Sequence, residues 1–301
     1  MMNKEVIKRW LLRHGRPLDL ARYDYHFDQG NKDRVVELLS AYQNDDGGFA
    51  HGLESDCWNP ISSPVQTWTA TEIIHEIGGL DPSHQMVQGI LRYLASGKYM
   101  VNRRWMFAVP SNNDYPRAVW WNYQSDEKST EDYNPTASLI AFILLYSPED
   151  SQLYRESLLM GQEAVDDLIR RGKSEMHELY NYITLYNISM QLGICWQHMD
   201  KFKELIISEM DRLIERDTKQ WGKTYCCLPS HLIKDPRSIG ADDYKSLIQE
   251  EASHLKESIN DQGVWSITWN WQQYEQEFEV AKYWWQSELI IKNLLLIKKF
   301  S

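Results

Sequence analysis

Helix-starting signals recur along the chain, and they constrain its fold more than any other feature of the sequence. Proline follows a capping side chain at Ser63-Pro64, Asp81-Pro82, Asn134-Pro135 and Ser147-Pro148. Proline at the first helical position loses no hydrogen bond, and Ser, Asp or Asn before it accepts from the free backbone N–H groups. No convincing two-residue alternation of the β type occurs, and candidate strands such as 104–109 are short. The sequence therefore predicts an almost entirely α-helical fold.

Ten helical segments are predicted from apolar spacing and end signals. They cover residues 3–13, 30–42, 64–77, 83–96, 135–146, 150–171, 175–192, 197–216, 241–260 and 279–299. No linker rich in Pro, Gly or Ser divides the 301 residues, a length that suits one large domain or two ordinary ones. We therefore expect a single all-α domain over residues 1–301.

Composition narrows the classes of partner. The net charge is −11 and the basic residues are scattered, whereas nucleic-acid binding requires a cationic surface. No apolar run approaches the ~18 residues needed to cross a bilayer, and the N-terminus has no apolar segment of signal-peptide length. We expect no nucleic-acid partner, no membrane span and a cytoplasmic location, where the four cysteines would be free thiols.

A short motif occurs twice, each time after a predicted helix. The first copy is QNDDGGF at 43–49 and the second is INDQGVW at 259–265. In both, a glycine supplies the positive φ needed to leave a helix, and an aromatic residue two positions later packs at the joint. The separation of the copies corresponds to about four helix hairpins of roughly 50 residues each. The motif predicts an architecture of repeated helical hairpins.

The first copy lies in a segment, 43–74, that resembles the QW-type repeat of squalene and terpenoid cyclases and the repeats of protein prenyltransferase β-subunits. Segment 255–269 is a weaker match. The resemblance implies an α/α toroid, approximately an (α/α)6 barrel, in which an inner ring of helices inside an outer ring surrounds a central cavity. The acidic motifs of the cyclases, Asp-x-Asp-Asp and Asp-Asp-x-x-Asp, are missing, and CCLPSH at 226–231 does not have a recognised zinc spacing. We expect no metal and no cofactor.

Catalytic candidates follow the first copy of the motif. His51, Glu54 and Asp56 have no counterpart after the second copy, and in a toroid this loop would lie at the cavity mouth. A carboxylate near a histidine suits acid–base chemistry, and paired carboxyl groups can have pKa values that are pushed apart. The alternative is an ordinary loop in which these side chains only stabilise a turn.

The helix predicted at 175–192 has a polar and aromatic stripe beside its apolar one. The stripe includes His177, Tyr180 and Asn181, whereas an ordinary surface helix has charged residues on its second face. This pattern favours a helix that lines a polar cavity, with His177 as a catalytic candidate and Tyr180 and Asn181 as substrate-binding candidates. A partly buried core helix is the alternative. On the last helix, Glu288 falls on an apolar face, where a carboxylate must find a partner or have a raised pKa, unless it reaches solvent at the helix edge.

Tryptophans cluster in two segments without helical spacing, 115–123 and 265–274. From these we select Trp120, Trp121, Trp269 and Trp271 as substrate-binding candidates, with core packing as the alternative for each. Trp284 and Trp285 add two more rings nearby.

An aromatic cavity suits two kinds of small-molecule ligand. Ring faces stabilise the carbocations of isoprenoid chemistry, and the resemblance favours an isoprenoid. Flat rings also stack on sugars, and carbohydrate-active hydrolases, lyases or epimerases with a Glu54–Asp56 pair as acid and base are the alternative. A non-catalytic toroid that binds a ligand or a protein is the third possibility.

Overall fold

Helices account for most of the chain in a computed structural model, which describes residues 3–300. The α-helices of this part are α1 (Lys4–His14), α2 (Pro17–Phe27), α3 (Lys32–Ser40), α4 (Pro64–Glu76), α5 (Gln85–Ala95), α6 (Asp126–Ser129), α7 (Thr136–Tyr146), α8 (Gln152–Arg171), α9 (Met176–Leu192), α10 (Met199–Leu213), α11 (Pro229–Leu232), α12 (Lys245–Ser258) and α13 (Glu275–Phe300). Short 3-10 helices at Pro110–Asp114 and Val119–Trp121 lie in the loop before α7. The predicted all-α class is confirmed.

The β structure is smaller than predicted. Strand β1 (Met100–Val101) pairs antiparallel with β2 (Arg104–Trp105), and no other strand occurs between residues 3 and 300. The candidate strand at 104–109 therefore ends after its second residue, because the backbone N–H groups of Met106 and Phe107 turn away to the carbonyls of Tyr99 and Ser129.

Every predicted helix is present, with ends that differ by at most about four residues. The helices that the sequence did not predict are α2 and the one-turn helices α6 and α11. Helix α2 was not predicted because Arg16, which precedes Pro17, is not a usual capping residue. The Asp19 carboxylate instead accepts from the Arg16 backbone N–H at 3.2 Å and binds its guanidinium.

Only Pro64 of the four prolines is the first helical residue that the sequence predicts. Pro64 occupies the first turn of α4, and Pro135 directly precedes α7 after a cis peptide bond. Pro82 and Pro148 lie in turns ahead of α5 and α8. At both places a side chain nearer the helix provides the cap, as Ser151 does for α8, so the proline marks the turn and not the first helical residue.

Helix packing follows an order that returns to its start. Helix α7 packs against α4, α8 and α9, and α9 packs against α10 and α11. Helix α12 contacts α11 and α13, and α13 returns to α1 and α2. Arg22 on α2 bonds Glu76 on α4, which joins the first helices to the rest of the series.

The loops before α4, α7 and α13 lie together. The Trp58 N–H donates to the carbonyl of Pro116 at 2.9 Å, and the Val119 N–H donates to that of Trp271 at 3.2 Å. A small apolar cluster lies under these loops and is separate from the main core between the helices. Its buried members are Cys57, Val65, Ala118, Trp121, Trp271 and Ala281.

The repeated motif forms the same turn at both ends of the chain. Gly47 and Gly263 have φ values of +90° and +79°, so both take the positive φ that the sequence predicts. The shared backbone bonds join Gly47 N to Asn44 O and Asn44 N to Gly48 O in the first copy, and Gly263 N to Asn260 O and Asn260 N to Val264 O in the second. Phe49 and Trp265 are both buried. The repeated turn and the buried aromatic residue are as predicted, but the prediction that the glycine ends the helix was wrong, because α3 ends at Ser40 and α12 at Ser258 and each glycine lies in a turn several residues later.

Candidate functional site

Glu54 and Asp56 form a buried carboxyl pair in the loop between α3 and α4. Their side chains are 9% and 2% exposed. Gln66 of α4 holds the loop in place: its Oε1 accepts from the Glu54 backbone N–H at 2.8 Å, and its Nε2 donates to the carbonyl of Cys57 at 2.6 Å. The Glu54 Oε2 accepts from the Asp56 backbone N–H at 2.9 Å. The loop thus brings two carboxyl groups to one enclosed place.

Tryptophan side chains orient the Asp56 carboxylate. Its Oδ1 accepts from the indole nitrogens of Trp271 and Trp285, each at 2.5 Å, and the indole of Trp269 also interacts with it. An indole N–H is a donor only. These contacts therefore hold one carboxylate oxygen in place, and they require that the side chain at position 56 offers a hydrogen-bond acceptor.

Burial decides how the pair titrates. It raises the pKa of Asp56 to about 6, against the opposing effect of the three indole donors. Burial also raises the pKa of Glu54 well above its usual value, and the neighbouring Asp56 charge adds to the rise. Neighbouring carboxyl groups titrate as a unit, and the charge of one disfavours ionisation of the other. The pair therefore keeps a proton to a higher pH than an exposed carboxyl group does.

An aromatic path leads from Asp56 to the start of α9. The half-buried ring of Trp269 meets Trp285 edge-on at 5.2 Å between ring centres and Tyr225 at 5.8 Å. The Tyr225 hydroxyl lies 2.8 Å from the His177 Nε2. The His177 Nδ1 lies 3.3 Å from the Glu175 Oε2. His177 is thereby connected to the carboxyl pair through two rings, although more than a hundred positions separate them in sequence.

Charged and polar side chains from four elements meet beside this path. The Tyr180 hydroxyl donates to the Glu72 carboxylate, and the Lys234 Nζ lies 3.6 Å from the centre of the Tyr180 ring and 3.5 Å from the Glu72 Oε2. Burial and the positive charges of Lys292 and Lys234 lower the pKa of His231 to about 3, so its ring is neutral. Helices α4, α9 and α13 and the end of α11 therefore turn polar side chains toward one region.

His51 and Asn181 have bonds of a structural kind. His51 is exposed, has φ +63° and places its Nε2 2.8 Å from the Asn44 Oδ1, within the turn of the repeated joint. Asn181 is fully buried, and its Nδ2 donates to the Asn134 Oδ1 at 3.1 Å and to the carbonyl of His177 at 2.8 Å. His51 thus stabilises the turn of the repeated joint, and Asn181 stabilises the loop before α7. The structure brings Glu54, Asp56, Trp269 and Trp271 together and leaves these two apart.

The predicted tryptophans divide by exposure. Trp271 has no exposed surface, and Trp121 is 6% exposed and stacks on Phe107 with 4.3 Å between ring centres. Both rings belong to the small apolar cluster, and Trp271 acts on the site through its bond to Asp56. Trp120 is 37% exposed on the outer side of its loop, and Trp269 is half-buried beside the carboxyl pair. Of the predicted tryptophans, Trp269 is therefore the one that lies next to the acids and is only half-buried.

Sequence reasoning placed Trp285 among the nearby rings but did not select it as a site residue, and it gave no role to Tyr225 or Lys234. A signal existed for Trp285, because Glu288 and Lys292 follow it at helical spacing and share its face of α13. Tyr225 and Lys234 lie outside regular helices, in segments where no periodicity shows which way a side chain points.

A separate open groove of about 510 Å³ lies beside α8 and the loop before α7. Its lining includes Arg104, Asp167 and Arg170, which bond to one another: Asp167 lies 3.2 Å from Arg104 and also binds Arg170 and Arg171. Because these charges already satisfy each other, the groove is a weaker candidate than the carboxyl pair.

The described part of the chain has no cluster of metal ligands and no membrane-spanning helix. Between residues 3 and 300, no group of three or more His, Cys, Asp or Glu side chains is placed to hold a metal ion. Over the same range, no helix combines the length and the apolar character needed to cross a membrane. The cysteines are free thiols, and Cys57 and Cys227 are buried.

Comparisons with protein-family models, with curated proteins and with solved structures gave no significant match.

Proposed function

We propose that this chain is an enzyme of the α/α toroid kind, whose central cleft binds a saccharide and whose Glu54–Asp56 pair supplies the acid for its chemistry. One observation carries the proposal. Two enclosed carboxyl groups, which take part in no ion pair of residues 3–300, lie beside an accessible tryptophan. Carboxyl groups with raised pKa values and an adjacent apolar ring are the parts that acid-catalysed cleavage of a glycosidic bond requires.

The toroid part of the proposal rests on connectivity. The order of helix contacts runs from α2 through α4, α7, α9, α11 and α12 to α13 and back to α2. The same joint occurs near both ends of the chain, as repeated hairpins in a ring require. Both features are those that the resemblance to terpenoid cyclases and prenyltransferases implies, and they support a ring of helices around a central cleft.

The polar side chains favour a saccharide over an isoprenoid. Lys234 and Lys292 are 42% and 46% exposed, and Tyr225 is 54% exposed. A hydrocarbon chain beside these groups would displace their water without replacing its hydrogen bonds, which costs free energy. A sugar offers hydroxyl groups to them and an apolar face to Trp269. In this arrangement, the protonated carboxyl pair donates its proton to the leaving oxygen of the substrate.

A thermal-shift screen followed by a turnover assay tests the proposal. The ligands are neutral oligosaccharides, uronic oligosaccharides, prenyl diphosphates and squalene-like lipids. We expect a saccharide to raise Tm and Trp269→Ala to remove that rise. With the same saccharide, Glu54→Gln should lower turnover by about 10²-fold or more. Glu76→Gln, which changes a buried carboxylate that is paired with Arg22, is the matched control and should keep turnover within about 3-fold.

One observation favours isoprenoid chemistry as the second candidate. Asp56 is an acid with a pKa of about 6 surrounded by indole rings, and an acid that protonates an alkene beside cation-stabilising rings is what a cyclase needs. A rise in Tm with prenyl diphosphates or squalene-like lipids, and none with saccharides, would establish this alternative. No rise with any compound would leave a non-catalytic binding protein.

A further inference from the structure

The carboxyl pair faces a second chain of proton-transfer groups across Trp269. Glu175, His177 and Tyr225 are joined by contacts of 3.3 Å and 2.8 Å, and the Tyr225 ring meets Trp269 edge-on. Trp269 in turn interacts with Asp56. A ligand on Trp269 would therefore have the carboxyl pair at one side and the Tyr225 hydroxyl at the other.

The direction of the chain follows from which atoms can donate. Glu175 is the N-cap of α9, where its Oε1 accepts from the Glu178 backbone N–H and its Oε2 faces His177. A carboxylate only accepts, so a neutral His177 with its proton on Nδ1 donates to Glu175. Its Nε2 is then an acceptor, and the Tyr225 hydroxyl donates to it. This is the arrangement of an activated side chain, a base and an orienting carboxylate.

The chain is accessible, as a group that contacts a ligand must be. Tyr225 is 54% exposed and His177 is 48% exposed. The phenol is only partly removed from water, and this partial desolvation, together with the charges of Glu175 and Asp56, raises the pKa of Tyr225, so the resting site keeps the phenolic proton. The contact between Tyr225 and His177 joins a loop to a helix 48 positions away, so local chain geometry does not produce it.

We propose that Tyr225 and His177 together form the catalytic base of this site: Tyr225 relays a proton from the nucleophile to His177, which Glu175 orients. The inference rests on the proposed function, because the carboxyl pair with its retained proton supplies the acid and leaves the base to be found elsewhere.

The proposed hydrolysis uses water as the nucleophile. Tyr225 Oη takes a proton from the water and passes its own proton to the His177 Nε2, and Glu175 stabilises the resulting imidazolium. The water oxygen bonds to the anomeric carbon, and the glycosidic C–O bond breaks with its electrons going to the leaving oxygen. The carboxyl pair gives that oxygen its proton. The imidazolium then loses one proton to solvent and the carboxylate regains one, so the net reaction adds one water across the bond.

The first test needs no substrate. In the full chain labelled with ¹⁵N at histidine, the spectrum of neutral His177 should show a proton on Nδ1 and a bare Nε2. Tyr225→Phe should shift the Nε2 resonance, whereas Tyr274→Phe should not. Tyr274 is the matched control because it is a 38% exposed tyrosine of a neighbouring loop whose hydroxyl faces Arg117. A proton on Nε2 would overturn the proposal, because His177 could then not accept from Tyr225.

The second test measures turnover of the saccharide identified by the thermal-shift screen. Tyr225→Phe should lower kcat by about 10²-fold or more and change ligand Kd by less than about 3-fold. His177→Gln should lower kcat similarly, and the double variant should be no worse than either single one, since the two residues act as a unit. A merely structural role would change Kd or Tm together with kcat.

The outcomes separate the two levels of the proposal. If Glu54→Gln abolishes turnover and Tyr225→Phe retains it, the proposed function stands and the role of Tyr225 is wrong. If Tyr225→Phe and Glu54→Gln both abolish it, both are supported. If the wild-type protein turns over no saccharide, the proposed function fails, and the role of Tyr225 fails with it.

Discussion

Two pairs of enclosed carboxyl groups in this protein titrate in opposite directions. Glu54 and Asp56 have raised pKa values, whereas those of Glu76 and Glu288 are lowered. All four side chains are at most 15% exposed, and burial acts in the same direction on each of them. Burial alone therefore does not decide whether a carboxyl group is an acid or a structural anion in this protein.

The main difference between the pairs is one buried cation. Burial would raise the pKa values of Glu76 and Glu288, but Arg22, which is 1% exposed and bonds both, outweighs it. Near Glu54, the Arg16 guanidinium is instead held by Asp19 and by two backbone carbonyls, so its charge is only a weak opposing effect. A fold that leaves one acid pair without a bonded cation keeps it at a cost in stability, which is the usual sign of a functional group.

Removing the charge of Arg22 should change the free energy of unfolding more than any other substitution discussed below. Arg22→Met leaves Glu76 and Glu288 buried without their main partner, and we expect a loss of about 3–5 kcal/mol in the free energy of unfolding. Urea or thermal unfolding at neutral pH measures it. Arg34→Met is the control, because Arg34 is 55% exposed and pairs with Glu37 on the surface, a contact worth at most about 1 kcal/mol. Equal losses in the two variants would show that the buried pair is not held by Arg22.

The second-largest effect should be on the pH dependence of stability, to which the two carboxyl pairs contribute in opposite directions. The pKa of Asp56 is about 6 in the folded protein against 3.8 for the ordinary side chain, so between these values the folded state binds more protons than the unfolded one. Its contribution to stability therefore falls as pH rises through this window, by about 3 kcal/mol in all. Glu76 and Glu288 act oppositely, because their lowered pKa values add stability that is lost as pH falls.

Asp56→Asn isolates this contribution. The amide oxygen still accepts from the indole donors but does not ionise, and the change also removes the charge that helps to raise the pKa of Glu54. We expect the variant to gain stability relative to the wild-type protein as pH rises from about 4 to about 7, measured by urea unfolding at each pH. Glu37→Gln, which changes a 67% exposed acid, should follow the wild-type curve. An Asp56→Asn curve parallel to the wild type would mean that Asp56 titrates normally.

The opposite pKa shifts of the two carboxyl pairs could not be predicted from the sequence without helix α2, which carries Arg22. Sequence reasoning singled out Glu288 as a carboxylate on an apolar face that needs a partner, a raised pKa or access to solvent, and the structure supplies the partner. That partner, Arg22, lies on the one long helix that the sequence did not predict. Because Arg16 gave no capping signal, α2 was missed, and with it the charge that makes Glu288 structural. Because the start of α2 was not predicted, the contact between Arg22 and Glu288, 266 positions apart in sequence, was not predicted either.

The carboxyl pair itself was predicted from a comparison within the chain. Gly47 and Gly263 mark the same joint, and only the first copy continues into Glu54 and Asp56. The surroundings of the pair could not be read in this way. Trp285 and Tyr225 reach the site through contacts between distant elements, and Tyr225 belongs to a loop without periodicity. Helix type follows from local spacing, whereas a site assembled from loops depends on how the helices pack.

Lys292 lies between the two pairs and should give the smallest effect. Its Nζ is 3.1 Å from the Glu288 Oε1, and its charge also lowers the pKa of Glu54. The side chain is 46% exposed, so water screens its charge, and we expect Lys292→Met to change the free energy of unfolding by less than about 1 kcal/mol. The pKa values of Glu288 and Glu54 should both rise, as measured by ¹³C titration of the carboxyl carbons.

The two acids should nevertheless remain on opposite sides of an ordinary glutamate. Arg22 still bonds Glu288 in the Lys292→Met variant, so the pKa of Glu288 rises and stays below the usual value. Glu54 loses only a minor opposing charge, and its pKa stays above that value. Lys282→Met, which removes a lysine on α13 that pairs with Glu279, is the control and should move neither acid. If the pKa of Glu288 instead rises above the usual value, Arg22 alone does not separate the pairs, and the contrast depends on both cations.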